Sequence, residues 1–78
     1  MKICLKSNSE VVYLDLNGSY GFEIKRVDMS FKLFVQYGGN MTCLGTYEDV
    51  ISAQKTLKII NESIDRILKG FKVSVVYV

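Results

Sequence analysis

The chain has 78 residues, 49% of them hydrophobic, with ten basic and eight acidic side chains and a formal net charge of +2. That length allows one domain, residues 1–78, and leaves no room for a second; the hydrophobic share argues against disorder. The charge is too small for the clustered basic excess that marks most nucleic-acid binders.

A chain this short buries only about 60% of the surface its unfolded form exposes, so association would add usefully to a modest core. Proline is absent, which suits strands and one uninterrupted helix. The opening "MKICLKSN" carries a lysine at position 6 and no apolar stretch of signal-peptide length. The apolar runs elsewhere fall far below membrane-spanning length. The expectation is a cytoplasmic protein with no membrane partner.

In chain order, "KICLK" alternates, with Ile3 and Leu5 on one face and Lys2, Cys4 and Lys6 on the other. After the turn cluster "SNSE", "VVYLDL" sets Val12, Leu14 and Leu16 against Val11, Tyr13 and Asp15. Asn17-Gly18 is the strongest hairpin signal, because both residue types tolerate the positive φ of a type I′ turn. It predicts a hairpin into "SYGFEIKRV", which alternates Tyr20, Phe22 and Ile24 against Glu23 and Lys25. Beyond "DMS", "FKLFVQY" places Phe31, Leu33, Val35 and Tyr37 opposite Lys32, Phe34 and Gln36. Gly38-Gly39-Asn40 forms a second tight turn into "MTCLG".

Thr46 is the expected N-cap of a long helix, with Asp49 closing a capping box. Val50, Ala53, Leu57, Ile60, Ile64 and Ile67 recur at three- and four-residue intervals as one apolar stripe, broadened at its end by Leu68. Lys58–Glu62, Glu62–Arg66 and Asp65–Lys69 line the polar side, and Gly70 takes the left-handed position that ends the helix. The tail, "FKVSVVYV", is a strand by residue type. Together these predict an α+β domain: an antiparallel meander sheet of five to six strands, one long helix on one face, and the C-terminal strand completing the sheet near the first.

No histidine is present, so the commonest general base is missing and neither a Ser-His nor a Cys-His pair can be built. Cys4 and Cys43 lack metal-ligand spacing and read as small reduced side chains; a redox link needs their strands to be adjacent. Glu48 and Asp49 adjoin at a helix start, where capping explains them. "YGGN" precedes a strand, whereas a phosphate loop precedes a helix. The expectation is therefore a non-enzyme with no metal and no cofactor.

Two surfaces stand out as candidates for binding. Lys32, Phe34 and Gln36 share a sheet face that can stack an unpaired base, with Lys25, Arg26 and Lys2 extending it, or that is simply a solvated face. On the helix, Ile51 and Ile59 lie more than 100° from the stripe with Lys55 between them, a docking surface if no loop covers them. The candidate partner-binding residues are Lys32, Phe34, Lys55, Ile59 and Arg66.

The segment "MTCLGTYEDVISAQKTLKII" resembles a pattern in short uncharacterised proteins of Gram-positive bacteria and their phages: a strand ending in L-x-x-Y, then T/S-x-E and an amphipathic helix. Leu44 and Tyr47 match the strand end, whereas the helix start departs from the pattern: the aromatic follows Thr46, the acid is Glu48-Asp49, and Ala53 falls later. Gly45, Tyr47, Ala53 and Leu57, with "FVQYGG", also resemble half of a SPOR peptidoglycan-binding repeat. The first resemblance implies a non-catalytic protein that occludes a host protein or nucleoprotein, as anti-CRISPR and other anti-defence inhibitors do. The alternatives are a single-stranded nucleic-acid-binding module and a homodimer paired through its C-terminal strand.

Overall fold

A computed structural model describes residues 1–72 and 75–78. Among them are six strands and one helix: β1 (Lys2–Lys6), β2 (Val11–Asp15), β3 (Tyr20–Val27), β4 (Ser30–Tyr37), β5 (Asn40–Tyr47), α1 (Val50–Leu68) and β6 (Val75–Tyr77). The α+β class, the meander, the helix packed on one sheet face and the last strand beside the first all follow the alternation and the helical stripe. The strands divide, however, into two three-stranded sheets, β2-β1-β6 and β3-β4-β5. Within the first sheet β6 runs parallel to β1, with Leu5 opposite Val76. Of the expected tail strand, Phe71 and Lys72 lie outside β6, and Val73 and Ser74 lie outside the described residues.

The division falls at Asn17-Gly18. β2 and β3 are not hydrogen-bonded to each other, and neither Asn17 nor Gly18 has a positive φ. Asp15 dictates the turn instead. Its carboxylate accepts from the Asn17 N–H at 2.9 Å, and its carbonyl accepts from the Gly18 N–H at 3.1 Å. This local side-chain bond competes with the hairpin geometry that the Asn-Gly pair favours. The first hairpin is β1–β2, closed through Ser7–Glu10 by the Ser7 N–H to Glu10 carbonyl bond at 2.8 Å.

The true two-residue hairpin loops lie further on. Asp28-Met29 joins β3 to β4 with Asp28 at φ 55°, and Gly38-Gly39 joins β4 to β5 with φ 53° and 79°. Asp tolerates the left-handed region because its short side chain bonds locally; two consecutive positive angles make the second turn type I′, the twist that suits a hairpin. A bulge at Leu33/Phe34 lets Leu33 oppose Gly45 and Phe34 oppose Cys43, so Leu44 is the extra residue. It turns inward and is 1% exposed.

The helix starts later than Thr46. Thr46 and Tyr47 are held in the β5 ladder opposite Lys32 and Phe31, so the first free capping residue is Asp49. It is extended (φ −136°, ψ 160°), and its carboxylate accepts from the Ser52 N–H at 2.7 Å. At the other end Gly70 (φ 94°) donates to the Ile67 carbonyl and Phe71 to the Arg66 carbonyl, at 3.0 and 2.9 Å. That 5→2 and 6→1 pair is a Schellman cap. The helix is about 28 Å long at 1.5 Å per residue.

Ala53, Ile60, Ile64 and Ile67 bury the stripe against β3, β4 and β5, with Leu57 half-buried. Val50 and Leu68, expected within it, are 37% and 54% exposed. Both sit about 80° round the helix from Ile60, on a flank the three-stranded sheet does not reach. One core joins all layers: Ile3, Leu5, Val12, Leu14 and Val76 from the first sheet, Leu33, Val35 and Leu44 from the second, and the helix isoleucines. No helix is long and apolar enough to cross a membrane among the described residues.

Candidate functional site

Alternation fixes which side chains the core leaves outside. In the second sheet the helix covers the face of Phe22, Ile24, Leu33 and Val35, so Lys32 and Phe34 project from the opposite face. Lys25 stands beside Lys32 in register, its Nζ lies 5.8 Å from the Phe34 ring centroid, and Glu23 is directly opposite Phe34. Glu23 also pairs with Lys25 at 3.7 Å. The expected basic-aromatic cluster is thus assembled, but Phe34 is half-buried and a lysine already lies near its ring. Arg26, one residue out of phase, projects with Phe31 on the other side, and Lys2 belongs to the first sheet. Neither extends the cluster.

On α1, Ile51 and Ile59 are 60% and 54% exposed, and Lys55 and Arg66 are exposed near them. No loop covers Ile51. Asp65 and Lys69 form the expected pair at 2.9 Å; Lys58–Glu62 and Glu62–Arg66 are not within ion-pair distance. The helix and the Phe34 cluster face opposite sides of the molecule, so Ile59, Lys55 and Arg66 cannot share one flat partner surface with Lys32 and Phe34.

The exposed face of the first sheet is a third surface. Register places Tyr13, Cys4 and Val75 in one cross-strand row and Val11, Lys6 and Tyr77 in the next. Tyr13 and Tyr77 are 70% and 73% exposed, Val11 and Val75 are partly exposed, and Lys6 Nζ lies 6.0 Å from the Tyr77 ring. Two wet tyrosines, two valines and a lysine on three bonded strands make an apolar platform with polar tips, the composition enriched where proteins meet. The sequence carried part of this signal, since Val11 and Tyr13 fall on the outward phase of "VVYLDL".

Two concavities accompany these faces. A shallow groove of about 510 Å³ runs along α1 between Gln54, Leu57, Lys58, Asn61, Glu62 and Asp65. It is lined by one helix alone, so it is a surface rather than an enclosed site. A cleft of about 320 Å³ separates the Ser7–Glu10 turn and Val78 from Cys43–Thr46 of β5. Within it the Cys43 thiol donates to the Gly45 carbonyl at 3.5 Å. Cys4 and Cys43 are both free, on different sheets. The Asp49 carboxyl is held below its usual range chiefly by the hydrogen bond from the Ser52 backbone, which is the chemistry of a cap.

The geometry thus describes a small α+β domain with three separate exposed faces. Compared with protein-family models, with curated proteins and with solved structures, the chain matches none.

Proposed function

We propose that this chain is a small non-catalytic binding protein, of phage or mobile-element origin, that occludes a surface of a host protein or nucleoprotein in the manner of an anti-defence inhibitor. The exposed face of the first sheet supports the binding reading. Tyr13 and Tyr77 offer large rigid contact area at low entropic cost, with Lys6 beside them as matched charge. An occluding protein needs only such an anchor, a polar rim and a scaffold that does not yield, and the continuous core supplies the scaffold. The phage origin and the host partner come from the strand-turn-helix resemblance around Leu44–Tyr47.

The test is capture from bacterial lysate with the immobilised chain, read by quantitative mass spectrometry. The wild type retains a stoichiometric protein or nucleoprotein; the Tyr13→Ala/Tyr77→Ala double variant loses it, while Phe34→Ala keeps it. Loss through Ile59→Ala or Lys55→Ala with the tyrosine variant unaffected moves the contact to the helix. Salt-sensitive binding to single-stranded oligonucleotides that Phe34→Ala weakens replaces the proposal with the nucleic-acid reading.

A further inference from the structure

The free edge of β6 is the feature that the proposed function does not use. The Val78 N–H donates to the Lys6 carbonyl at 2.9 Å, so the backbone groups of Val78 face β1. Backbone groups alternate sides along a strand, which turns those of Val76 towards β1 as well and those of Val75 and Tyr77 away from it. β6 is the last strand of its sheet. The N–H and C=O of Val75 and of Tyr77 therefore point out of the edge, two donors and two acceptors roughly 7 Å apart along the chain. They have no backbone partner among the described residues.

We infer that this edge pairs antiparallel with the β6 edge of a second copy, about a twofold axis through Val76, to give a six-stranded sheet β2-β1-β6-β6-β1-β2. With that axis, Val75 stands opposite the second copy's Tyr77 and Tyr77 opposite its Val75. Both are the hydrogen-bonded kind of antiparallel pair, so all four outward groups on each side are satisfied by four bonds. Three observations favour a second copy as the occupant. First, β6 carries no charged residue, lacking the lysine or proline with which edge strands normally repel pairing. Second, the buried row Val12–Leu5–Val76 continues without interruption into its own image. Third, the nearest like charges, the two Lys6 side chains, stand on strands three spacings apart, about 14 Å, beyond the screening length at physiological salt. The outer rows extend in the same way, and the Tyr13–Tyr77 platform is doubled.

The test is molar mass by light scattering across a wide concentration range, with circular dichroism confirming that each variant is folded. The wild type passes from monomer to dimer as concentration rises. Val75→Lys/Tyr77→Lys sets lysines directly opposite each other at both hydrogen-bonded pairs and stays monomeric. Val75→Lys/Tyr77→Glu sets a lysine opposite a glutamate at both and regains the dimer at low salt. Tyr77→Pro removes one outward N–H while leaving the bonds to β1, and raises the dissociation constant at least tenfold. A wild type that remains monomeric, or a double-lysine variant that still dimerises, overturns the inference. Partner capture by a monomeric wild type would leave the proposed function standing, so the two fail separately.

Discussion

Adjacent isoleucines on α1 give the sharpest test of the layer arrangement. Ile60 is fully buried against the second sheet, whereas Ile59 is 54% exposed about 100° round the helix. Truncating Ile60 to alanine removes three buried carbons and leaves a cavity that the surrounding core only partly fills. Such changes cost roughly 2–5 kcal/mol. For a chain of this length, with about 0.05–0.15 kcal/mol of stability per residue, that is a large part of the total. At about 4–8 °C per kcal/mol for a domain of this size, a 3 kcal/mol loss lowers the melting temperature by roughly 12–24 °C. Ile59→Ala removes the same atoms from water-facing surface and puts in the better helix former, so its effect stays within about 0.5 kcal/mol. Urea titration followed by circular dichroism measures both, and unchanged m-values show that the compactness of the end states is preserved. Equal costs for the two variants, or a larger one for Ile59→Ala, would mean that the helix presents a different side to the sheet.

Gly18→Ala should be nearly neutral, because an added Cβ meets only the Asp15 carbonyl at 3.5 Å and the φ is not positive, whereas Gly39→Ala, at φ 79°, should cost about 1–2 kcal/mol; thermal melts of the pair distinguish the observed turns from an Asn-Gly hairpin. The Asp49 carboxyl titrates lower folded than unfolded, so its contribution is complete above the ordinary value of 3.8 and disappears as pH falls through the lowered one. Asp49→Ala should therefore reduce stability and first-turn helicity at pH 6, and the difference from wild type should vanish in strong acid. Lys69→Ala breaks an exposed four-residue pair of 2.9 Å and should change stability by no more than about 0.5 kcal/mol, less at high salt. A larger loss in urea titration would show that the pair is coupled to the neighbouring Schellman cap.

Residues whose phase is set by burial were legible in the sequence, and residues whose conformation is set by competition were not. Ile3, Leu5, Val12, Leu14, Leu33 and Val35 all point inward as period-two alternation requires. Ala53, Ile60, Ile64 and Ile67 do so at helical period. Thr46 fits an N-cap by local chemistry, yet the β5 ladder holds it opposite Lys32, and a tertiary pairing overrides a local preference. Asn17-Gly18 fails likewise, because the Asp15 side chain offers the backbone a different turn. Leu44 is buried, but the bulge that turns it inward leaves no mark in "MTCLG" that alternation could show. The candidate contacts were legible as two surfaces, the outer helix and the Phe34 sheet face, and alternation and helical period place those residues there. The platform of Tyr13, Tyr77, Val11 and Val75 was not, because it exists only once β6 pairs with β1, a long-range contact that local alternation does not show.

That choice of face bears on how so small a domain can bind. The helix and the second sheet turn their apolar sides on each other, and outside them remain Phe34, half-buried near Lys25, and the scattered exposed Ile51 and Ile59 with Lys55 and Arg66 beside them. The first sheet is likewise covered on one side, and its open face carries the two most exposed tyrosines, Tyr13 and Tyr77. Its outer rows, Tyr13–Cys4–Val75 and Val11–Lys6–Tyr77, lie on strands whose inner residues Leu14, Leu5 and Val76 are anchored in the core. Contact area on such strands loses little conformational entropy when a partner arrives, because the backbone beneath is already fixed. If two copies join at β6, the platform becomes twofold symmetric, and a partner bearing two equivalent epitopes gains from the second contact as an intramolecular event. A partner with a single epitope gains nothing from it. Tyr13→Ala lies on β2 and leaves the β6 edge untouched, so it should weaken partner capture while the dimer's mass in light scattering persists; loss of both would mean that the platform and the edge are not separate.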